Sequence, residues 1–306
     1  MSAATALTVR QRVAGGLLGL AAGDALGSTL EFLPAREVRR RHGRHTEITG
    51  GGAFGWRPGQ GTDDTDMAYA VARAYAEGYS LERVAQGFLA WYRGRPRDIG
   101  GTTAGALAEM ARGTEPALCG HRVAGPMSAG NGSLMRCLPT GLVRTASSQR
   151  RTEAVAVSAL THADRRCTQA CATYCDLVAL LMDGAAPAEA VEAVLASSAM
   201  GDDVAEAVAA AGGLTAAELA PTGYVLATLQ VGVWALLQPR PLAEVLVDVV
   251  NLGGDADTTG AVAGGLLGVR DGAGAIPARW LDVLEYRAPL LSLVPRLTAL
   301  REGSSA

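Results

Sequence analysis

Two glycine-rich acidic stretches, far apart in the chain, constrain its fold more than any other feature. The first is GQGTDDTD at residues 59–66, and the second is GGDADTTG at residues 253–260. Each is followed by an alanine-rich apolar segment, which is typical of a loop leading into the first turn of a helix. A single Asp or Thr is enough to cap a helix. The sequence therefore carries more acid at these two helix starts than capping requires.

The surplus carboxylates predict a cation. Crowded carboxylates repel one another unless positive charge lies between them, and a helix N-terminus contributes only about half a charge. Carboxylate and hydroxyl oxygens suit Mg²⁺ or Mn²⁺ better than zinc. We therefore expect the two stretches to meet and to share a divalent-metal site; helix capping alone is the alternative.

The rest of the chain predicts one all-α domain. The 306 residues are 49 % hydrophobic with 39 glycines and few aromatics, which fits closely packed helices. We find no alternating strand pattern, no internal repeat and no linker that would divide the chain. The predicted domain covers residues 9–300, with flexible tails at 1–8 and 301–306.

Composition also limits which classes of binding partner and which cellular compartment we expect. A net charge of −3 gives no general attraction to nucleic acid or to an anionic membrane. No apolar run approaches the roughly 20 residues that span a bilayer. Five cysteines without a paired framework indicate a reducing compartment, so we expect a cytoplasmic monomer. Cys167, Cys171 and Cys175 share one helical stripe, which we interpret as core packing because no second zinc-ligand pair accompanies it.

Three further motifs contain candidate site residues. Asp24 and Glu31 lie in an apolar setting at residues 23–32; we expect Asp24 to bond a neighbouring backbone and Glu31 to lie in the active site. Asp98 precedes a Gly-Gly-Thr-Thr helix start. It is either a site residue or only a cap or turn residue. The glycine-rich turn at 128–136 would either hold a phosphate through its N–H groups or form an ordinary helix entry.

Taken in order along the chain, these motifs resemble the ADP-ribosylglycohydrolase family. The resemblance covers about residues 13–269, and its five motifs are Gly23–Glu31, Gly59–Asp66, Gly130–Arg136, Thr161-His162 and Gly253–Thr258. It implies an orthogonal all-α bundle with two Mg²⁺ or Mn²⁺ ions. The implied metal ligands are Thr62, Asp63, Asp64, Asp255, Asp257 and Thr258.

The resemblance also implies roles around an ADP-ribose cleft. Asn131, Gly132 and Ser133 would line it together with Gly100, and His162 and Tyr224 would contact the nucleotide or its ribose. Asp98 would face the modified side chain, and Asp63, Asp64, Glu31 and Asp98 form the catalytic set. Relatives often carry Asn where this chain has Gly101, which bears on substrate preference.

The implied reaction is metal-dependent hydrolysis of the N-glycosidic bond of ADP-ribosylated arginine on a protein, which releases ADP-ribose. A carboxylate such as Asp98 suits a guanidinium leaving group. The alternatives are hydrolysis of O-linked ADP-ribose on serine or in O-acetyl-ADP-ribose, metal-dependent phosphohydrolysis that yields AMP, and binding of ADP-ribose without catalysis.

Overall fold

The computed structural model describes residues 6–197 and 199–303, and this part of the chain is an all-α domain without a named strand. The predicted tails lie partly outside it, at residues 1–5 and 304–306. Sixteen α-helices are described: α1 Val9–Gly27, α2 Ala35–His42, α3 Asp63–Ala76, α4 Leu81–Arg93, α5 Gly101–Ala111, α6 Pro116–Val123, α7 Leu138–Val143, α8 Ser147–Ala159, α9 Arg165–Met182, α10 Pro187–Leu195, α11 Asp202–Ala211, α12 Val225–Leu237, α13 Leu242–Val250, α14 Ala256–Asp271, α15 Ala278–Leu281 and α16 Arg287–Gly303.

The centre of the fold is an antiparallel pair of buried helices, α1 and α14, whose backbones touch. Small residues recur at every fourth position of both helices: Gly15, Gly19, Gly23 and Gly27 on α1 face Gly268, Gly264, Gly260 and Ala256 on α14. A Cβ atom added at Gly19 would lie 2.2 Å from the carbonyl oxygen of Gly264. Only glycine permits this approach, which sets the C-terminal end of α1 against the N-terminal end of α14.

The cysteine stripe of α9 lies in the core, as the sequence predicts. Cys167, Cys171 and Cys175 are fully buried, and the two remaining cysteines, Cys119 and Cys137, are also buried and unpaired. The Cys171 thiol lies 3.4 Å from the Ser133 hydroxyl, and the Cys175 thiol lies 3.3 Å from the Cys137 carbonyl oxygen. The thiols therefore act as small packing groups.

The C-terminal region differs from its prediction at residues 301–303, which the sequence assigns to a flexible tail. The chain forms α15, a break at residues 282–286, and α16. Helix α16 also continues to Gly303, and Arg301 is buried with its guanidinium bonded to the carbonyl oxygens of Gly141, Leu142 and Ala179. Across the described helices, none combines the length and apolar character required to cross a lipid bilayer.

Candidate active site

The first acidic stretch forms the N-terminus of α3, and two separate residues cap it. The hydroxyl of Thr62 accepts from the Asp64 backbone N–H at 3.2 Å. Asp24, at the end of α1, accepts from the backbone N–H groups of Thr62 and Thr65 at 3.0 and 3.1 Å and also binds the Thr65 hydroxyl. The predicted backbone-bonding role of Asp24 is confirmed. Burial raises the pKa of Asp24 to about 7 even though these bonds favour its charged form.

The second acidic stretch forms the N-terminus of α14 and meets the first directly. The Thr258 hydroxyl donates to Asp64 Oδ2 at 3.2 Å, and the Thr62 hydroxyl reaches the same oxygen at 3.2 Å. The expectation that the two distant stretches come together is therefore confirmed. The contact follows from the α1–α14 pairing, which carries Asp257 to the end of α1.

Acidic side chains from four parts of the chain converge beside this contact. Carboxylate oxygens of Glu31, Asp98 and Asp257 all lie within 4.8 Å of one another, and Asp63 and Asp255 line the same cleft. Among the described residues no arginine forms an ion pair with any of these five carboxylates. Positive charge within the protein therefore does not balance them.

Because no positive charge balances them, the carboxylates of the site have raised pKa values. Burial raises the pKa of Glu31 to about 8, with further contributions from Asp98, Asp255 and Asp24. Burial and Asp255 raise the pKa of Asp98 to about 6. The pKa values of Asp63, Asp64 and Asp257 are also well above their usual range, first because of burial and then because of neighbouring carboxylates. Each carboxylate opposes the ionisation of the others.

The donor set fits a hard divalent cation. Glu31 Oε2 and Asp64 Oδ1 are buried and have no hydrogen-bond partner among the described residues. Such orphaned oxygens are unfavourable in a fold unless something binds them. All the available donors are carboxylate or hydroxyl oxygens, the ligands that Mg²⁺ and Mn²⁺ prefer. The buried acidic cluster is thus able to bind a metal.

A cleft of about 530 Å³ opens from the acidic cluster, a size typical of small-molecule sites. Its other walls are the first turn of α5 after Gly100, the loop Gly130–Gly132, and His162. The Asn131 amide donates to Asp255 Oδ2 at 2.7 Å and to the Thr228 hydroxyl at 2.9 Å, which ties the loop to the acidic cluster. The cleft wall therefore combines the acidic side chains with the neutral groups of α5, this loop and His162.

Comparison with known proteins identifies the family to which this chain belongs. The family model described as ADP-ribosylglycohydrolase matches residues 5–306. The chain belongs to the ADP-ribosylglycohydrolase family.

Individual members of the family match this chain over most of their length. The chain is 33 % identical to the ADP-ribosyl-[dinitrogen reductase] glycohydrolase of Rhodospirillum rubrum, over 92 % of this chain and 93 % of that protein. It is 31 % identical to the ADP-ribosylarginine hydrolase Tri1 of Pseudomonas putida, over 97 % and 81 % respectively. A solved structure titled ADP-ribosylglycohydrolase-related protein complex matches with a TM-score of 0.83 at 31 % identity, over 96 % of this chain and 99 % of that chain.

His162 lies in the cleft as a neutral side chain with a defined proton position. The Arg136 guanidinium donates to the Thr161 hydroxyl at 2.7 Å, and that hydroxyl lies 2.7 Å from His162 Nδ1. Because the Thr161 hydroxyl already accepts from Arg136, we assign its own proton to Nδ1, and the ring proton of His162 then lies on Nε2. Burial, followed by the charge of Arg136, lowers the pKa of His162 to about 3. His162 therefore presents an N–H donor at any physiological pH.

Position 132, within the Gly130–Arg136 motif, has no room for a side chain. A Cβ atom there would lie 2.9 Å from His162 Cε1 and 3.1 Å from the Thr103 hydroxyl. Any side chain would therefore push His162 or α5 away from the cleft.

Several predicted site residues lie away from the cleft surface. Ser133 is 1 % exposed and bonds Ser158 at 2.9 Å and Cys171, so its side chain supports the loop from behind; its contact with ADP-ribose stays a prediction. Tyr224 does not line the cleft either, because its ring lies beside Arg166 while its backbone pairs with Gly130. Thr62 and Asp64 lie behind Asp63, one layer below the cleft wall.

Other cleft residues were not among the predicted contacts. Phe32, Thr102, Thr103 and the segment 221–223 all line the cleft. The Gly-Gly-Thr-Thr start of α5 was a usable signal for the two threonines, since it marks an uncapped helix N-terminus. Phe32 gave no sequence signal; its positive φ of 63° arises where its backbone N–H donates to Gly254 at 2.7 Å.

Proposed function

We propose that the protein removes ADP-ribose from arginine side chains of proteins in a hydrolysis that depends on divalent metal ions. One observation carries the proposal: Glu31, Asp63, Asp98 and Asp257 line the same cleft as the uncapped start of α5 and His162. An ADP-ribosyl group matches both parts of this wall, because it has a ribose diol to be held by metal and a nucleotide to be held by N–H groups. The activities named for the relatives support the same reaction.

Two Mg²⁺ or Mn²⁺ ions are the proposed cofactors. Their proposed ligands are Thr62, Asp63, Asp64, Asp255, Asp257 and Thr258. When bound, such ions supply positive charge that orients the ribose hydroxyls and makes water more acidic. The protein supplies a rigid setting, because the Asp64–Thr258 contact and the Asp24 caps fix both helix starts.

The carboxylates around the cleft accept and donate the protons that the reaction transfers. In the reaction, a water oxygen bonds to the anomeric carbon as the bond to the guanidine nitrogen breaks. We assign Asp63 or Glu31 to accept a water proton and Asp98 to face the departing nitrogen, which must gain one proton. The Asp98 carboxylate lines the cleft within 4.8 Å of those of Glu31 and Asp257, where it can pass a proton to that nitrogen.

The neutral walls bind the rest of the substrate. The first turn of α5 lines the cleft and has no side-chain cap, so its free backbone N–H groups favour an anionic diphosphate. The Nε2–H of His162 adds one donor directed by the Arg136–Thr161 chain. These groups orient the sugar without taking part in proton transfer.

The test is product analysis with three substrates: arginine-linked ADP-ribosyl peptide, serine-linked peptide and O-acetyl-ADP-ribose. We expect free ADP-ribose from the arginine-linked peptide, and only with Mg²⁺ or Mn²⁺. Faster release from the serine-linked peptide or O-acetyl-ADP-ribose would reassign the linkage. AMP as product would establish phosphohydrolysis, and ADP-ribose binding without turnover would establish a binding protein.

Two variants test the acidic cluster itself. Asp63→Asn and Asp257→Asn should each lower turnover by about 100-fold or more, as expected for removing a proton-transfer or metal-holding group. Asp282→Asn is the matched control, because Asp282 is exposed and distant from the cleft lining. Calorimetric titration with Mn²⁺ should show weaker binding for the first two variants only. Full activity of folded Asp63→Asn and Asp257→Asn in chelator would contradict the metal mechanism.

A further inference from the structure

A short basic segment, formed by helix α2 and the two residues after it, follows directly on the cleft wall. Its ten residues include one acid and five arginines: Arg36, Arg39, Arg40, Arg41 and Arg44. Among the described residues, these arginines pair with only two carboxylates, Glu37 and Asp248. The whole chain has a net charge of −3, so the segment is a local surplus of positive charge on an acidic protein.

Both ends of this segment are fixed to the loop that leads into the second acidic stretch. Before α2, the backbone of Pro34 pairs with that of Gly253. After α2, the Asn251 side chain accepts from the His45 backbone N–H at 2.9 Å and donates to the His45 carbonyl oxygen at 2.8 Å. Val38, in the middle of the helix, is fully buried. Helix α2 therefore has a fixed position relative to the acidic cluster.

The arginine side chains of α2 are exposed, and two of them are unpaired. Arg40 and Arg41 share the carboxylate of Glu37, at 2.7 and 3.1 Å, and are 67 % and 50 % exposed. Arg36 and Arg39 are also exposed, and neither forms a hydrogen bond or an ion pair with another described residue. The helix thus presents positive charge that the rest of the described chain does not neutralise.

The stability of the helix alone does not account for this arrangement. Basic side chains favour the last turn of a helix, where Arg39 and Arg40 lie, but Arg36 lies in the first turn, where positive charge is unfavourable. Arg36 and Arg40 are also four positions apart on one face, where like charges repel. A segment that departs from local helix preferences in this way is expected where its charge serves binding.

The basic segment is within reach of a polypeptide that enters the cleft. Phe32 lines the cleft and is 64 % exposed, and α2 begins three residues later, at Ala35. The eight residues of α2 extend over about 12 Å, a length that about four residues of extended polypeptide cover. A chain whose modified arginine lies in the cleft is therefore able to run along α2.

We propose that α2 binds an acidic segment of the ADP-ribosylated protein, located within about six residues of the modified arginine. The inference rests on the proposed function, which requires a polypeptide at the rim of the cleft. Carboxylates of that polypeptide pair with the exposed arginines, above all with Arg36 and Arg39. Charged groups at the rim of an interface act mainly on association and its salt dependence, so α2 selects among protein substrates and takes no part in the hydrolysis.

The experiment compares two ADP-ribosylarginine peptides of equal length. One has Glu and the other has Gln at the second to fourth positions on both sides of the modified arginine. At low ionic strength we expect a KM about fivefold lower for the Glu peptide with the same kcat, and equal KM values in about 0.5 M salt, because exposed ion pairs are weak and screened. Equal KM values at low ionic strength, or a lower KM for the Gln peptide, would overturn the proposal.

A double variant locates the binding. Arg36→Gln/Arg39→Gln removes the two unpaired charges and should raise KM for the Glu peptide by about fivefold, with kcat and the Gln peptide unaffected. Arg36→Lys/Arg39→Lys keeps the charge and should keep the preference for Glu. Arg10→Gln/Arg296→Gln is the matched control, since both arginines are exposed and neither lines the cleft. A wild-type preference in Arg36→Gln/Arg39→Gln would exclude α2 as the binding site.

Other occupants of α2 give different results. Fluorescence anisotropy compares the unmodified Glu peptide with single-stranded DNA of equal charge and with phosphatidylserine vesicles; tighter binding of either, lost in Arg36→Gln/Arg39→Gln, would overturn the assignment to a polypeptide. A wild-type dimer in sedimentation velocity that dissociates in this variant would assign α2 to a second copy of the chain, whose residues 167–239 hold eight acidic and no basic residues.

The outcomes also separate this inference from the proposed function. Equally efficient hydrolysis of the Glu and Gln peptides would refute the role of α2 and leave the proposed reaction intact. Binding of the unmodified Glu peptide that is lost in Arg36→Gln/Arg39→Gln, without hydrolysis of either modified peptide, would support the role of α2 and refute the proposed reaction.

Discussion

The backbone contact between α1 and α14 can be tested with single methyl groups. In Gly264→Ala, the new Cβ would lie 2.1 Å from the carbonyl oxygen of Gly19, and in Gly19→Ala the new Cβ would lie 2.2 Å from that of Gly264. Ordinary contacts begin near 3.4 Å. Since both partners are helix backbone, neither can rotate away, and the helices must separate by about 1 Å.

The expected loss of stability combines two opposing effects. Overpacking of a close-packed core destabilises by about 1–3 kcal/mol, and a rigid backbone partner places this case at the upper end. Alanine offsets this by up to about 1 kcal/mol through its better helix propensity. We therefore expect a net loss of about 2 kcal/mol for either variant, which would lower the Tm by roughly 4 °C in a domain of this size.

Urea unfolding followed by circular dichroism measures these differences, with Gly87→Ala as control. A Cβ at Gly87 of α4 would make an ordinary contact, 3.4 Å from the Ala70 side chain, so this variant should be neutral or slightly stabilised. The double variant Gly19→Ala/Gly264→Ala should lose less than the sum of the single variants, because the second methyl occupies space that the first has opened.

The same substitutions should weaken divalent-metal binding, because separating α1 from α14 displaces Asp24 in the last turn of α1 and Asp257 in the first turn of α14. Titration calorimetry with Mn²⁺ measures this effect. Single variants that are as stable as wild type, or a double variant whose loss is simply additive, would refute the view that these backbones touch and set the geometry of the site.

Three further predictions concern the acidic cluster, His162 and the thiols. In chelator, the stability of the protein should fall as pH rises from about 4.5 to about 8, because the folded state holds a proton on Glu31 that the unfolded chain has already lost; Mg²⁺ should remove most of this decline in a thermal-shift series. Thr161→Val should move the ring proton of His162 from Nε2 toward Nδ1 in ¹⁵N NMR spectra, whereas Thr161→Ser should keep it on Nε2. The five cysteines are all buried, so a thiol reagent should label them in the native protein no faster than the protein unfolds.

The two acidic helix starts could be predicted from the sequence because their chemistry is local. Glycine, then Asp and Thr, then alanine specifies a capped helix in any fold, and the surplus of carboxylates indicates a cation. The glycines of α1 likewise predict close packing, although their partner helix is not evident from α1 alone. What local patterns cannot specify is which distant side chains complete the site.

The predicted contact residues that do not line the cleft lie where the backbone is irregular. Residues 130–136 form turns rather than a helix or strand, so no periodicity tells which side chains face the cleft. Gly132 lines the cleft, whereas the next residue, Ser133, points into the core toward Ser158. Tyr224 is similar, since its backbone pairs with Gly130 while its ring turns outward toward Arg166.

Helix capping at the start of α3 leaves carboxylates of the acidic cluster free to bind a metal. Asp24 and Thr62 satisfy the first N–H groups of α3, so the carboxylate of Asp63 is free to face the cleft. Asp64 uses one oxygen for the two threonine hydroxyls and keeps the other without a partner. If the first turn of α3 used its own acidic side chains as caps, no carboxylate would remain free to bind a cation. The cap supplied by α1 therefore leaves the acidic turn with carboxylates that are able to bind a cation, and the glycine contact that positions α1 helps to build this cluster.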